Sequence, residues 1–193
     1  MGALSNRRVV LARIPQGAPQ PADFAFVDEP VADAEAGEVL LRTVWLSMDP
    51  YQRNWMAGAS SYGSAARSGA TVIGRAVSEV VSSNDRRFAP GDLVCGETGW
   101  QTHAVAPADA LESVDATLAP VSTALGVLGS PGLTAWVGMA EIGKPRSGET
   151  VVVSAEAGAV GSVAGQIARI LGARVVGVAG DPRKCRHVVE DLR

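Results

Sequence analysis

The length, composition and charge of the chain exclude several classes of protein. The chain has 193 residues, of which 47% are hydrophobic and 19% are charged, and its formal net charge is −3. This composition is typical of a globular protein with one or two domains. Seventeen basic residues against twenty acidic ones leave no positive excess for phosphate backbones, so nucleic acid is not an expected partner. No apolar run approaches the length that crosses a membrane, so we expect no membrane partner either.

The cysteine and histidine residues are few and isolated in the sequence. Cys95 and Cys185 form no CxxC pair, and His103 and His187 stand apart from both. Zinc sites need several such ligands at close spacing, so we expect no metal in the chemistry of this protein. The lack of a disulfide framework and of an apolar signal segment at the start predicts a reducing, cytoplasmic setting.

The first 120 residues show a pattern of short strands separated by turns. Apolar runs predict strands at 8–12, 38–46, 71–81 and 101–105, and a further strand after the turn at 88–94. Neither face of the strand at 71–81 is purely polar, which favours a curved, barrel-like sheet. The Gly-, Ser- and Ala-rich segment 57–70 predicts an exposed loop. We assign residues 1–120 to a β-rich first domain.

The pattern changes after Pro120. Residues 124–142 have a mainly helical composition that is interrupted at 130–132. A β-branched strand at 149–154, a helix at 159–171 and an apolar strand at 173–179 are then predicted, with a last helix at 182–192. The strand, helix and strand together have the size of a βαβ unit of about 30 residues. We therefore assign residues 121–193 to an α/β second domain.

A glycine-containing turn joins the first strand of this βαβ unit to its helix. Gly158 and Gly161 occupy the last two positions of a GxGxxG fingerprint, while Glu156 occupies the first. Glycine suits these positions because the backbone approaches a pyrophosphate closely and the helix packs tightly on the strand. The motif needs a strand before it and a helix after it, and both are predicted here. We therefore predict that the turn binds a dinucleotide through Gly158, Ala159, Val160 and Gly161. The alternative is an ordinary tight βα turn.

The end of the second strand indicates which dinucleotide would bind. An NAD site has Asp or Glu about 20 residues after the turn to hold the ribose hydroxyls. Here Gly180 leaves room for a phosphate on the ribose, and Arg183 and Lys184 can neutralise that phosphate, which favours NADP. Asp181 is the counter-evidence, and its alternative role is to cap the helix that begins at Pro182.

Several motifs follow one another in the order typical of one family. They are Asn6-Arg7-Arg8-Val9-Val10-Leu11-Ala12, Leu46-Ser47-Met48-Asp49-Pro50-Tyr51-Gln52-Arg53, Phe88-Ala89-Pro90-Gly91-Asp92, Gly126-Val127-Leu128-Gly129-Ser130-Pro131-Gly132-Leu133-Thr134-Ala135-Trp136-Val137-Gly138 and Gly158-Ala159-Val160-Gly161-Ser162. On these segments, the chain resembles the medium-chain dehydrogenase/reductase superfamily. Within it, the chain is most similar to the zinc-independent leukotriene hydroxydehydrogenase/prostaglandin reductase branch, which includes curcumin-reductase-like enzymes. The resemblance extends from end to end of the chain.

This resemblance implies a fold, an activity and a set of site residues. The implied fold is α/β plus β, with a GroES-like barrel-like domain followed by a partial Rossmann domain. The implied activity is NADPH-dependent reduction of the carbon–carbon double bond of α,β-unsaturated ketones or aldehydes, by an enzyme that is a homodimer at full length. Tyr51 matches a substrate-pocket position and is the expected catalytic residue, supplying or orienting a hydrogen bond to the enolate oxygen. Thr134 and Lys184 match cofactor-binding positions, Lys184 on the NADP phosphate.

Other functions remain open on the sequence. Glu156 would repel a pyrophosphate unless its carboxylate points away, and Tyr51 has the alternative role of a packed aromatic residue at a strand end. A doubly wound domain has about six strands, of which residues 149–193 supply only two. We therefore expect either a fragment of a longer enzyme or a partner that covers the apolar sheet edge. The alternatives to an enone reductase are an NADPH quinone oxidoreductase and a non-catalytic remnant that only binds the cofactor.

Overall fold

The computed structural model describes residues 4–58 and 66–192. The chain divides into two compact units, Met1–Ser122 and Thr123–Arg193. The first unit is rich in antiparallel strands, and the second contains α-helices and a parallel sheet. Half of the predicted loop at 57–70 lies outside the described residues.

The described part of the first unit is built from two antiparallel sheets and one short helix. Its elements are β1 (Ser5–Leu11), β2 (Phe24–Pro30), β3 (Glu38–Leu46), α1 (Pro50–Met56), β4 (Arg75–Ser83), β5 (Leu93–Glu97), β6 (His103–Pro107) and β7 (Glu112–Ser113). The larger sheet has the order β6-β3-β4-β5-β7, and β1 pairs with β2. Single 3-10 turns lie at Pro21–Asp23 and Ala108–Ala110.

Backbone hydrogen bonds join β1 to segments that flank the larger sheet. The N–H of Val9 donates to the carbonyl of Trp100 at 2.8 Å, and the N–H of Val72 donates to the carbonyl of Val9 at 3.0 Å. The pairing of β3 with β4 shifts register twice, between Leu40 and Leu41 and between Thr43 and Trp45. Bulges of this kind bend a strand and increase its twist. The result is the curved, barrel-like arrangement that the sequence predicted.

Several element bounds in this unit differ from the prediction. The strand predicted at 71–81 begins only at Arg75, because Thr71 pairs with Val10 of β1 and the chain crosses between the two sheets there. Gly74 allows this crossing, since a Cβ at that position would lie 2.8 Å from Cδ1 of Trp100. Strand β2 and helix α1 were not predicted. Helix α1 has only seven residues, which is too short for a helical period to show in the sequence.

Two clusters of apolar side chains form the interior of the first unit. The first cluster joins the sheet strands through Val39, Leu41, Val80 and Val94, each at most 1% exposed. The second contains Leu11, Trp55, Met56 and Val72. Trp55 and Met56 belong to α1, so the burial of their side chains holds that short helix against β1.

The second unit contains one βαβ crossover with further helices. Its elements are α2 (Ser130–Trp136), β8 (Thr150–Ser154), α3 (Ala159–Ile170), β9 (Arg174–Val178) and α4 (Pro182–Glu190). A 3-10 turn at Val121–Leu125 spans the boundary between the units, and α2 continues into a π-helical turn at Val137–Gly143. The predicted helical region 124–142 thus forms a regular α-helix only from Ser130. Gly132 is needed at that start because a Cβ there would overlap the backbone of Val127.

Strands β8 and β9 are parallel, with Thr150 opposite Arg174. The small core of this unit joins Ala135, Val153 and Ala164. Val152 is 66% exposed and Val178 is 53% exposed, so the two-stranded sheet leaves apolar side chains uncovered. None of the helices in the described residues is long and apolar enough to cross a membrane.

Candidate functional site

The predicted dinucleotide turn lies between β8 and α3. Ala155 has a left-handed backbone with φ of 49°, and its carbonyl accepts a hydrogen bond from the N–H of Gly158 at 2.8 Å. A Cβ at Gly161 would lie 2.5 Å from that same carbonyl oxygen and 2.7 Å from Cα of Glu156. Glycine at position 161 is therefore required for the helix to pack on the turn, which is the steric reason that the fingerprint suggested.

The N-terminus of α3 has the geometry of an anion-binding site. The N–H of Ser162 makes the first bond of the helical pattern, to the carbonyl of Gly158 at 2.9 Å. The preceding N–H groups of Ala159, Val160 and Gly161 therefore lie ahead of the helical hydrogen bonds. Gly158, Ala159 and Val160 are exposed. Exposed N–H groups at the positive end of a helix suit a pyrophosphate, so the residues present fit a dinucleotide.

The carboxylate of Glu156 points away from this N-terminus. The residue is only 5% exposed, and its side chain lies between Gly165 of α3 and Gly177 of β9. A Cβ at either glycine would overlap the carboxylate, so the side chain fits because both positions are glycine. Glu156 Oε2 has no hydrogen-bond partner among the described residues, and burial raises the pKa of this carboxyl group. This orientation reduces the expected repulsion of a pyrophosphate, because the carboxylate is directed away from the N–H groups that would hold it.

This burial predicts a pH-dependent stability. Because the folded-state pKa of Glu156 lies above its unfolded value, its stabilising contribution is complete below about pH 4.3 and is lost as pH rises through the raised pKa. We expect Glu156→Gln, which resembles the protonated form, to raise the free energy of unfolding by about 1–3 kcal/mol near neutral pH and to change it little in acid. Denaturant unfolding at the two pH values measures this difference.

Glu190→Gln is the matched control, because Glu190 is an exposed carboxylate in the same unit. It should leave the free energy of unfolding nearly unchanged at both pH values. A gain from Glu156→Gln that is equal in acid and at neutral pH would contradict the explanation by burial of charge.

The residues predicted to select NADP lie after β9. A Cβ at Gly180 would meet no atom within 4 Å, so this position is open. Asp181 caps α4, because its Oδ1 accepts hydrogen bonds from the N–H groups of Arg183 at 2.8 Å and Lys184 at 3.0 Å. The capping role that the sequence left as an alternative for Asp181 is therefore confirmed. Because β8 and β9 are parallel, Gly180 and the turn at Gly158 lie at the same edge of the sheet.

Thr134, the remaining predicted cofactor residue, lies on α2. Its hydroxyl donates to the carbonyl of Ser130 at 2.8 Å, one turn earlier in the helix, and the residue is exposed. This intrahelical bond satisfies the hydroxyl proton, and the oxygen can still accept a hydrogen bond.

Tyr51 lies in the first turn of α1, not at a strand end. The helix begins at Pro50, and buried Gln52 fixes its start by accepting a hydrogen bond from the N–H of Asp49 at 3.0 Å and donating one to the carbonyl of Ser47 at 2.8 Å. Pro at the first helical position and a side chain that closes the first turn are typical of a well-defined helix start. Helix α1 therefore holds Tyr51 in a defined place on the first unit.

The hydroxyl of Tyr51 contacts the carboxylate of Glu97, the last residue of β5. The phenolic oxygen lies 3.0 Å from Glu97 Oε1 and 3.0 Å from Oε2. Burial raises the pKa of Tyr51 far above its ordinary value, and the negative charge of Glu97 raises it further. A backbone hydrogen bond from Arg75 acts in the opposite direction. Tyr51 therefore keeps its proton throughout the physiological pH range.

Further charged groups surround this pair. Arg75 lies opposite Glu97 in the pairing of β4 with β5, and its guanidinium Nη2 lies 2.6 Å from Glu112 Oε2 on β7. The thiol of Cys95 is 2% exposed, and burial raises its pKa, as expected for the inert thiol that the sequence suggests.

A cavity of about 410 Å³ is lined by Arg75, Glu97, Thr98 and neighbouring residues of β6.

Comparison with known proteins identifies the family. A family model described as the N-terminal domain of oxidoreductase matches residues 7–114. The chain belongs to the zinc-independent branch of the medium-chain dehydrogenase/reductase superfamily. Membership in this family confirms the predicted α/β plus β fold, with a GroES-like first unit and a partial Rossmann second unit.

Three relatives illustrate the similarity. The chain is 46% identical to NADPH-dependent curcumin reductase from Escherichia coli strain K12, over 97% of this chain and 54% of the relative. It is 37% identical to the NADP(+)-dependent 2-alkenal reductase of Nicotiana tabacum, over 94% of this chain and 54% of the relative. The crystal structure of CurA from Vibrio vulnificus in complex with NADPH is 40% identical, with a TM-score of 0.89 over 96% of this chain and 55% of that chain. The chain thus spans about half the length of these relatives.

Sequence reasoning missed one polar neighbour of Tyr51. Glu97 is 46 residues away from Tyr51 in the chain, and no local spacing connects the two. Its one sequence signal is an acidic side chain at the end of an apolar strand, followed by a Thr-Gly turn. Such a signal is common at strand ends and did not single out Glu97.

A metal measurement tests the zinc-independent chemistry. Within residues 4–58 and 66–192, no group of three or more His, Cys, Asp or Glu side chains could hold a metal ion. We expect purified active protein to contain less than stoichiometric zinc and to keep its activity in a chelator. Elemental analysis that finds one zinc per chain, or activity lost to the chelator and restored by metal, would contradict this expectation.

Proposed function

We propose that this chain provides the first half of an NADPH-dependent reductase that acts on the carbon–carbon double bond of α,β-unsaturated ketones or aldehydes. The observation that carries the proposal is the turn between β8 and α3, where glycine is sterically required at position 161 and the N-terminus of α3 is exposed. Similarity to an NADPH-dependent curcumin reductase and to a 2-alkenal reductase supports the cofactor and the substrate class.

The chemistry of the residues in this chain assigns each of them a role in the proposed reaction. The N–H groups of residues 159–161 would hold the pyrophosphate at the positive end of α3. Lys184 and Arg183 would pair with the phosphate on the ribose, while Gly180 leaves space for it. Bound NADPH would supply the hydride. Tyr51 would stabilise the negative charge that develops on the carbonyl oxygen of the substrate.

The reaction adds one hydride to the β-carbon and one proton to the α-carbon of the substrate. Between the two additions, the carbonyl oxygen carries the charge of an enolate. A group that donates a hydrogen bond to that oxygen lowers the barrier, since the bond strengthens as charge develops. The phenol of Tyr51 keeps its proton at physiological pH and is chemically suited to this task.

The test uses the protein at its natural length and follows NADPH consumption with a 2-alkenal, a simple enone and a quinone as separate substrates. We expect the saturated aldehyde or ketone as the product, identified by mass. Reduction of the quinone alone would favour the alternative quinone oxidoreductase function. Cofactor binding without turnover on any of the three substrates would favour the non-catalytic alternative.

A further inference from the structure

The hydrogen bond between Tyr51 and Glu97 has a definite direction. An ionised carboxylate can only accept, and a phenol has a single proton, so Tyr51 donates and Glu97 accepts. Both carboxylate oxygens lie 3.0 Å from the phenolic oxygen, which places the one proton of Tyr51 toward the carboxylate. An oxyanion that forms beside Tyr51 would have to draw this proton away from Glu97.

The negative charge of Glu97 also acts on any oxyanion beside Tyr51. Arg75 faces Glu97 across the pairing of β4 with β5, yet its guanidinium forms its ion pair with Glu112, at 2.6 Å. Among the described residues, Glu97 therefore forms no ion pair with Arg75, the cation opposite it in the strand pairing. Like charges at a separation of several ångströms repel, so an enolate oxygen near Tyr51 is destabilised by Glu97.

The position of the Tyr51 ring does not depend on Glu97. Helix α1 is anchored by buried Gln52, Trp55 and Met56. Glu97 is exposed and lines the cavity of about 410 Å³, so a change of its side chain leaves the buried core intact. The bond to Glu97 therefore determines the direction of the hydroxyl proton rather than the place of the ring.

We propose that Glu97 is a positioning residue that holds the proton of the Tyr51 hydroxyl and thereby limits the stabilisation that Tyr51 gives to a substrate oxyanion. The inference rests on the proposed function, because it concerns the same oxyanion. It predicts that Glu97→Gln, which removes the charge and keeps the size of the side chain, makes Tyr51 a better donor.

The first test measures the hydrogen bond in the 193-residue chain without any substrate. The chain contains two tyrosines, Tyr51 and Tyr62, so the difference between the phenolate absorbance titrations of the parent and of Tyr51→Phe isolates Tyr51. The titration runs from about pH 8 to about pH 12. Tyr51 of the parent stays largely protonated over this range, because its pKa lies far above the ordinary tyrosine value of about 10. A lowered pKa therefore appears as new phenolate absorbance from Tyr51 in the variant. We expect Glu97→Gln to move the ionisation of Tyr51 to distinctly lower pH.

Glu112→Gln is the matched control for this titration. Glu112 is a nearby carboxylate that pairs with Arg75. It should shift the ionisation of Tyr51 much less than Glu97→Gln does. An equal shift for both variants, or no shift for Glu97→Gln, would overturn the assignment of Glu97 as the residue that holds the proton.

The second test is a double-mutant cycle on kcat in the protein at its natural length. With Tyr51 present, Glu97→Gln is expected to raise kcat for an enone about tenfold, a factor that corresponds to about 1.4 kcal/mol of transition-state stabilisation. In the Tyr51→Phe background, the same substitution should change kcat less than about twofold, because the two residues act through one hydrogen bond. Glu97→Asp, which retains the charge, should not reproduce the rise.

The outcomes separate this inference from the proposed function. An equal effect of Glu97→Gln in both backgrounds, or a fall in kcat, would overturn the role of Glu97 while the reductase function stands. A protein without enone reduction under any variant would overturn the proposed function and the catalytic part of this inference. The titration would then still decide whether Glu97 holds the Tyr51 proton.

Discussion

Replacing Tyr51 by Phe in the protein at its natural length is expected to lower kcat for an enone by up to about 10²–10³, the usual cost of losing one donor to an oxyanion. KM should change much less, because the hydrogen bond strengthens only as negative charge develops in the transition state. Steady-state kinetics with NADPH at saturation measure both constants. The loss of kcat should be smaller if a second group also donates a hydrogen bond to the enolate oxygen. It should be larger when Tyr51 is replaced in a protein that already carries Glu97→Gln.

The substitution should not disturb the fold. The side chains that anchor α1 are Gln52, Trp55 and Met56, and none of them contacts substrate in this proposal. Phe26→Leu, at an exposed aromatic residue of β2, is the control and should leave kcat unchanged. An unchanged kcat in Tyr51→Phe would show that Tyr51 is a packed aromatic residue with no part in catalysis.

Replacing Lys184 by Ala is expected to weaken NADPH binding roughly tenfold to a hundredfold, equivalent to about 1.5–3 kcal/mol for one charge-assisted contact with the ribose phosphate. NADH affinity should change little, because NADH lacks that phosphate. The cap of α4 survives the substitution, since Asp181 accepts from the backbone N–H of Lys184 and not from its side chain. Dissociation constants for both cofactors, measured by fluorescence or calorimetry, check the prediction.

Arg186→Ala is the matched control on the same helix, because Arg186 is also an exposed cation but follows the strand end at a greater distance along α4. Its effect on NADPH affinity should be clearly smaller than that of Lys184→Ala. Equal affinity of the parent protein for NADH and NADPH would overturn the assignment of Gly180, Arg183 and Lys184 to an NADP phosphate.

The elements that the sequence predicted correctly are those whose signals lie within a few neighbouring residues. The strand at 149–154, the helix at 159–171 and the last helix starting at Pro182 were all confirmed within a few residues. Their signals are local, since β-branched runs, helical periods and capping residues act within one turn or one strand. Gly161 was identified for the same reason, because the βα turn needs a small residue whatever the rest of the chain does.

Short elements and edge elements were not predicted. Strand β2 contains Asp28, Glu29 and Pro30, and its pairing with β1 outweighs the weak strand preference of these residues. Helix α1 is held by the burial of Trp55 and Met56 against Leu11 and Val72, which are distant in sequence. A helix of seven residues has too few turns to be stable alone, so its existence depends on those contacts.

The amino-acid sequence by itself determined the family, the βαβ unit and the glycine turn, because each depends on residues close together in the chain. Only the tertiary structure decided the roles of the two carboxylates. The side chain of Glu156 fits between Gly165 and Gly177, away from the N-terminus of α3, because helix α3 and strand β9 both present glycine to it. Glu97 meets Tyr51 because α1 and the end of β5 come together in the folded unit. Whether a carboxylate repels a ligand, holds a proton or stays buried depends on what surrounds it in space, and sequence spacing does not carry that information.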